Sequence, residues 1–195
     1  MSHYFEYDEN LPHEYLNVEY EINGQVFKFT TDIGVFSREG MDAASDILIR
    51  TIPPLHGRLL DMGCGWGGIG IVLAKLYSLE LTQADINPRA LELTRKNCED
   101  NNVKSEIILS DCFENIKSRF DTITLNPPIH AGKAVTYRMF EEAACHLAPE
   151  GRLYVVTLKK HGAESTERKL REVFGNCDTL YKKKGYYVFT SKLNE

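Results

Sequence analysis

Strict alternation of polar and apolar positions marks the first element of the chain. In "VEYEINGQVFKFTTD" apolar side chains recur at alternate positions on either side of Asn23-Gly24. A period of two gives a ribbon one inward face, and Asn-Gly favours the left-handed backbone of a two-residue turn. The pattern therefore predicts a β-hairpin over about residues 18–31. The period then changes. In "SREGMDAASDILIRTI" Met41, Ala44, Ile47 and Leu48 fall at helical spacing, and Pro53-Pro54 ends the run. From there strand and helix patterns alternate. Short apolar runs at "RLLDMG" (58–63), "LTQAD" (81–85), "EIILS" (106–110), "FDTITLN" (120–126) and "GRLYVVTL" (151–158) predict strands. Helices are predicted over 67–78, 88–101, 134–148 and 164–175, the second opening on Pro88, a favoured first-turn residue. "CDTLYKKKGYYVFTS" reads as a closing antiparallel hairpin.

Repeated strand–helix alternation implies an α/β fold, a mostly parallel central sheet with helices on both faces. A length of 195 residues suits one domain (1–195), with residues 1–33 as a hairpin extension and 34–195 as the core. The composition, 43% hydrophobic and 26% charged, is that of a globular protein. No apolar run is long enough to cross a bilayer, and "MSHYFEYDEN" is too acidic for a signal peptide, so no membrane partner is expected. Five scattered cysteines with no C-x-x-C pair read as reduced thiols of a cytoplasmic protein, without disulfides or metal. The formal net charge of −5 argues against wholesale coating of nucleic acid but leaves room for a local basic face.

In "LLDMGCGWGGIG", Gly63, Gly65 and Gly68 fit G-x-G-x-x-G between a predicted strand and helix. Glycines there allow a tight turn and close approach of a ligand to bare backbone. A glycine-rich turn with no ligand is the plainer reading of the motif alone. Asp85, ending the next strand, adds weight, because an acidic side chain there can accept both hydroxyls of an adenosine ribose. Asp85-Ile86-Asn87-Pro88 is also a sound helix start, and the two roles can coexist. A nicotinamide dinucleotide and S-adenosylmethionine (SAM) both fit these features. Three observations favour SAM. Asp61, two residues before the first glycine, is expected to face the cofactor's end of the sheet, where a carboxylate suits a cationic amine and sulfonium better than a pyrophosphate. Asp111 in "SDCF" is placed to accept from an adenine amino group, although a turn or cap explains it equally well. The third is "LNPPIH" (125–130) at a strand tip. The candidate cofactor residues are Asp61, Gly63, Cys64, Gly65, Asp85, Ile86, Asp111, Cys112 and Asn126.

Taken in order, "DMGCGWGGIG", "ADINPRAL", "SDCF" and "NPPIHAG" resemble a class I SAM-dependent methyltransferase, which implies a Rossmann-like fold with an antiparallel C-terminal hairpin. With "GVFSREGMD" (34–42) and "KKKGYYV" (182–188), they are similar to the catalytic domain of the ribosomal RNA small-subunit methyltransferase C family. That resemblance implies transfer of methyl to the exocyclic N2 of guanine in ribosomal RNA or the small ribosomal subunit. This chain departs from the pattern twice. It has no room for the duplicated second domain of the long form, and Ile129 stands where many Asn-Pro-Pro enzymes place an aromatic residue.

An exocyclic amino group is a poor nucleophile because its lone pair is delocalised into the ring. Acceptors around its hydrogens favour the pyramidal geometry it needs. The Asn126 side-chain oxygen and the Pro127 carbonyl supply two, and Pro127-Pro128 fix their direction. A simple turn after the strand is the competing reading. Ile129 can cover a base by apolar contact; His130 can contact the base or collect a proton, and capping the next helix suits it as well. Lys159 and Lys160, after the last parallel strand, are expected at the cofactor's edge of the sheet, where with Arg38 and Lys133 they can form a phosphate-binding rim; solvated surface charge is the simpler role for each. Methylation of adenine N6 or of a protein glutamine amide is an alternative, since both substrates present the same amino hydrogens. A non-catalytic SAM-binding factor of ribosome assembly is the reading from outside enzymology.

Overall fold

A computed structural model describes residues 10–128 and 132–193. Strands β1 (Leu16–Ile22) and β2 (Gln25–Thr31) pair antiparallel about Asn23 (φ 51°) and Gly24 (φ 73°), as the alternation predicts. Tyr20, Ile22, Phe27 and Phe29 point from this ribbon into the core. Helix α1 (Ala43–Thr51) starts later than its periodicity suggests. Ser37 (φ 59°) and Gly40 (φ 123°) hold the preceding segment in turns, and the Asp42 carboxylate caps the helix by accepting from Ala44 N and Ser45 N.

The chain then builds β3 (Arg58–Met62), α2 (Gly68–Tyr77), β4 (Glu80–Asp85), α3 (Pro88–Asp100), β5 (Ser105–Leu109), β6 (Phe120–Leu125), α4 (Gly132–His146), β7 (Leu147–Leu158), α5 (Ala163–Phe174), β8 (Asp178–Lys183) and β9 (Tyr186–Lys192). The sheet order is β5-β4-β3-β6-β7-β9-β8; β3 to β7 run parallel and β9 is antiparallel to both neighbours. This is the Rossmann-like architecture that the motifs imply. Successive side chains of a strand go to opposite faces: Leu59 packs with α1 and α2, Leu60 with α4 and α5. Strand β7 begins four residues before its predicted start, because Glu150 (φ 66°) and Gly151 make a kink within it rather than a helix end. A Cβ on Gly151 would lie 2.8 Å from the Ala148 carbonyl oxygen and 2.9 Å from that of Phe120.

Strands β3, β4 and β5 progress toward one edge, and β6 returns to the other side of β3. At this reversal the connections after β3 and β6 diverge, leaving a crevice at the strands' carboxyl ends. Such a switch point is where open α/β sheets bind ligands.

Candidate active site

A cavity of about 640 Å³ occupies that crevice, within the range of small-molecule sites. The loops after β3, β4, β5 and β6 and the segment before α1 line it, including Gly63, Cys64, Gly65, Asp85, Ile86, Asp111, Cys112, Asn126, Pro127 and Pro128. The sequence-derived residues thus meet in one place, with particular differences.

Gly63 (φ 69°) and Gly65 (φ 57°) have a left-handed backbone, and a Cβ on either would meet no protein atom within 4 Å. Their bare faces therefore turn to open space, as a loop that admits a ligand against its backbone requires. Gly67 (φ 90°), which the motif does not single out, is the N-cap of α2. Gly68 serves packing instead, since a Cβ there would lie 2.4 Å from the Trp66 ring.

Asp85 closes β4 with both carboxylate oxygens engaged. Oδ2 accepts from Gly65 N at 2.8 Å and Oδ1 from Asn87 N at 2.9 Å. The Asn87 side chain, not Asp85, caps α3 by accepting from Arg89 N. Each Asp85 oxygen retains lone-pair capacity for a ribose hydroxyl. Burial pushes its pKa up, and the backbone N–H groups of Asn87 and Gly65 oppose that rise.

Asp61 lies beneath the glycine loop and does not line the cavity. Its Oδ2 accepts from Gly70 N at 2.9 Å and its Oδ1 from the Thr124 hydroxyl at 3.0 Å. Burial raises its pKa to about 6 against those donors. Through these bonds Asp61 ties α2 to β3 and β6.

Asp111 lines the cavity from the β5 side, 3.3 Å from Arg138 of α4 in a half-exposed ion pair. Cys112 follows with φ 47°, and burial pushes its thiol up to about 12. Burial likewise raises Cys64, which favours the protonated thiol at both positions near neutral pH. Among the described residues no group of three His, Cys, Asp or Glu is arranged to hold a metal ion.

At the tip of β6, Asn126 Nδ2 donates to the buried Ser45 Oγ at 3.0 Å, and Ser45 Oγ donates to Asp42 Oδ2 at 2.5 Å. Ser45 and Asp42 both line the cavity, and sequence reasoning missed them as site residues. The D-x-x-S cap of α1 was the available signal, hidden because the helix was expected to start earlier. Ile129 and His130 lie outside the described residues.

Lys159 and Lys160 form an exposed turn at the end of β7, off the cavity lining. Lys159 N donates to Gly185 O at 2.7 Å, and Leu158 pairs with Tyr186. The end of β8 and the turn after it, which together carry Lys182–Lys184, therefore sit beside them. Lys133 belongs to the same corner, because its Cε lies 4.0 Å from where a Gly162 Cβ would be. Arg38 instead pairs with Glu14 at 3.0 Å.

A smaller cavity of about 420 Å³ lies between the hairpin and α3. Its buried charges satisfy one another: Arg89 reaches Asp32 at 2.9 Å, and Asp32 also accepts from Glu14 N and Ile33 N. With these buried charges committed to one another, the crevice is the stronger site.

Residues 26–190 match the family model of the methyltransferase small domain. A protein of Bacillus subtilis (strain 168), described as uncharacterized protein YbxB, is 38% identical over 98% of this chain and 98% of its own length. The ribosomal RNA small subunit methyltransferase C of Pasteurella multocida (strain Pm70) is 40% identical over 63% of this chain and 39% of that protein. This chain thus spans about half the length, or less, of the curated methyltransferase C relatives that it matches. Among solved structures, the T. thermophilus 16S rRNA N2 G1207 methyltransferase, in complex with AdoMet and guanosine, superimposes with a TM-score of 0.83. It is 28% identical, over 94% of this chain and 52% of that one. A glycine loop open to a cavity, an acidic residue ending the next strand and an Asn-Pro-Pro tip facing them agree with these matches: the chain belongs to the methyltransferase small domain family.

Proposed function

We propose that this protein transfers a methyl group from SAM to the exocyclic N2 of a guanine in ribosomal RNA. The observation that carries the reading is the Asn126-Pro127-Pro128 tip facing, across one cavity, the glycine loop and Asp85. The methyl donor is S-adenosyl-L-methionine. The bare backbone at Gly63 and Gly65 leaves room for it, and Asp85 offers acceptors for its ribose. Ile86, half exposed at the rim, and Cys112 with its neighbour Asp111 supply walls on the base side.

When bound, SAM supplies an electrophilic methyl on a sulfonium. The chain's own task is to hold the acceptor amine in line with it and make its lone pair available. Asn126 Oδ1 and the Pro127 carbonyl accept the amine's hydrogens, drawing nitrogen toward the pyramidal geometry of attack. The prolines fix these acceptors in advance. The proton can leave after the methyl arrives, so no general base is required before attack. Phe36, half exposed on the cavity lining, offers an aromatic face near the rim.

Ribosomal RNA is favoured as the acceptor by the likeness to the methyltransferase C enzymes. The lysine corner supports it, since Lys133, Lys159, Lys160 and Lys182–Lys184 gather positive charge on one side of a chain whose formal net charge is −5. The test is transfer of tritiated methyl from SAM, with total RNA, total protein and small-subunit particles that have not been methylated as acceptors. Label in the RNA of the particles is expected; label in protein alone would turn the reading toward a glutamine amide, and no label toward a binding protein.

A further inference from the structure

Which atom of the Asn126 amide turns toward the acceptor is decided by groups outside the Asn-Pro-Pro tip. Asp42 holds two functions at once. Its Oδ1 accepts from Ala44 N at 2.9 Å and Ser45 N at 3.2 Å, capping α1. Its Oδ2 accepts the Ser45 hydroxyl at 2.5 Å. A serine hydroxyl carries a single hydrogen, so Ser45 Oγ, once it donates to Asp42, can only accept from its other neighbour. That neighbour is the Asn126 amide at 3.0 Å. Only the amide's NH2 can donate, so Nδ2 must face Ser45. The planar group then directs Oδ1 to the other side of Cγ.

We propose that Asp42 and Ser45 are positioning residues that set the polarity of the Asn126 amide, holding its oxygen rather than its NH2 toward the target amine. The proposal rests on the amino-group reading above and deepens it. An amide free to turn over would present NH2 to an amine's own hydrogens half the time, which repels where attraction is needed. The relay is anchored rather than floating. Ser45 is 5% exposed, on a helix whose Leu48 and Ile49 are buried in the core, and the contact closes a separation of 81 residues. Asp42 accepts in both directions, which makes it the fixed end from which the order of donors and acceptors follows.

Reversal of that order is the test. In Asp42→Asn the new amide still caps α1 through its oxygen, but its NH2 now donates to Ser45 Oγ. Ser45 then gives its hydrogen to Asn126 Oδ1 and draws the oxygen away from the acceptor. The charge-conserving swap, Asp42→Asn with Asn126→Asp, reverses the whole relay while leaving a second carboxylate oxygen at position 126 for the amine. The measurements use the full chain, tritiated SAM and unmethylated small-subunit particles, with SAM affinity by calorimetry and the Asn126 side-chain amide followed by 1H–15N NMR. Ser45→Ala is expected to lower kcat about 10-fold and Asp42→Asn about 10²-fold, the usual range for a misplaced or lost transition-state partner. SAM affinity should stay within about two-fold, the swap should recover several-fold of the loss, and the amide resonances should shift in Ser45→Ala. If Asn126→Ala lowers kcat while Ser45→Ala and Asp42→Asn leave both kcat and the amide resonances unchanged, the relay is wrong and the amino-group reading stands. A wild-type kcat in Asn126→Ala overturns both.

Discussion

On the β3–β4 side of the crevice, Gly63, Gly65 and Asp85 are held by backbone and by one another, with Gly65 N bonded to Asp85 Oδ2 across 20 residues of chain. On the β6 side, Asn126 is held by a side-chain relay to a helix that lies 81 residues earlier. The two halves therefore differ in what a substitution can disturb. In the proposed site the cofactor half depends on glycine conformation and a single carboxylate, so damage there is expected to fall on binding. In the proposed mechanism the acceptor half depends on the orientation of one amide, so damage there is expected to fall on turnover. Asp61 connects the two from below, joining α2 of the first half to Thr124, two residues before Asn126.

The largest expected break is in the acceptor half. Asn126→Ala should reduce turnover by on the order of 10²-fold or more while SAM affinity, read by calorimetry, stays within a few-fold. Equal losses in affinity and turnover would merge the two halves into one. Next in size, Asp85→Ala should weaken SAM binding by roughly 1–3 kcal/mol, the cost of losing a hydrogen-bonded charged group. At saturating SAM its turnover should largely return. An unchanged dissociation constant would remove Asp85 from the cofactor half. The smallest effect belongs to the corner outside both halves. Replacing Lys159 and Lys160 together by Ala should raise the Michaelis constant for RNA a few-fold and flatten its salt dependence, the slope falling by about one for each phosphate no longer neutralised. SAM affinity should not change. A salt slope equal to that of wild type would make these two lysines ordinary surface charge.

The same contrast explains what the sequence made legible. The hairpin and the alternating strands and helices follow from local periodicity, and the glycine loop and Asp85 follow from a contiguous motif, so those features stood out in the chain. Orientation within the site did not. Asp61 was expected to face the cofactor's end of the sheet, but it lies off the cavity lining and bonds Gly70 N and the Thr124 hydroxyl, partners that no spacing rule announces. Asn97, fully buried in α3, bonds Thr30 of the hairpin and the Trp66 carbonyl beside the glycine loop, and it drew no notice in the sequence. Ser45 was not singled out in the sequence, and only the fold puts Asn126 against it. Periodicity specifies which face of an element is buried; it is silent on which polar groups from distant segments meet there.

If Asn126 prepares a guanine N2 for methylation, as proposed, the identity and the yield of the methylated nucleoside must depend on it. RNA from unmethylated small-subunit particles, incubated with SAM and the wild-type chain and then digested for mass spectrometry, should contain N2-methylguanosine. The Asn126→Ala reaction should yield about a hundredth as much in the same time. N6-methyladenosine as the product would rule out guanine N2 as the acceptor, and N2-methylguanosine formed at the wild-type rate by Asn126→Ala would remove Asn126 from the reaction.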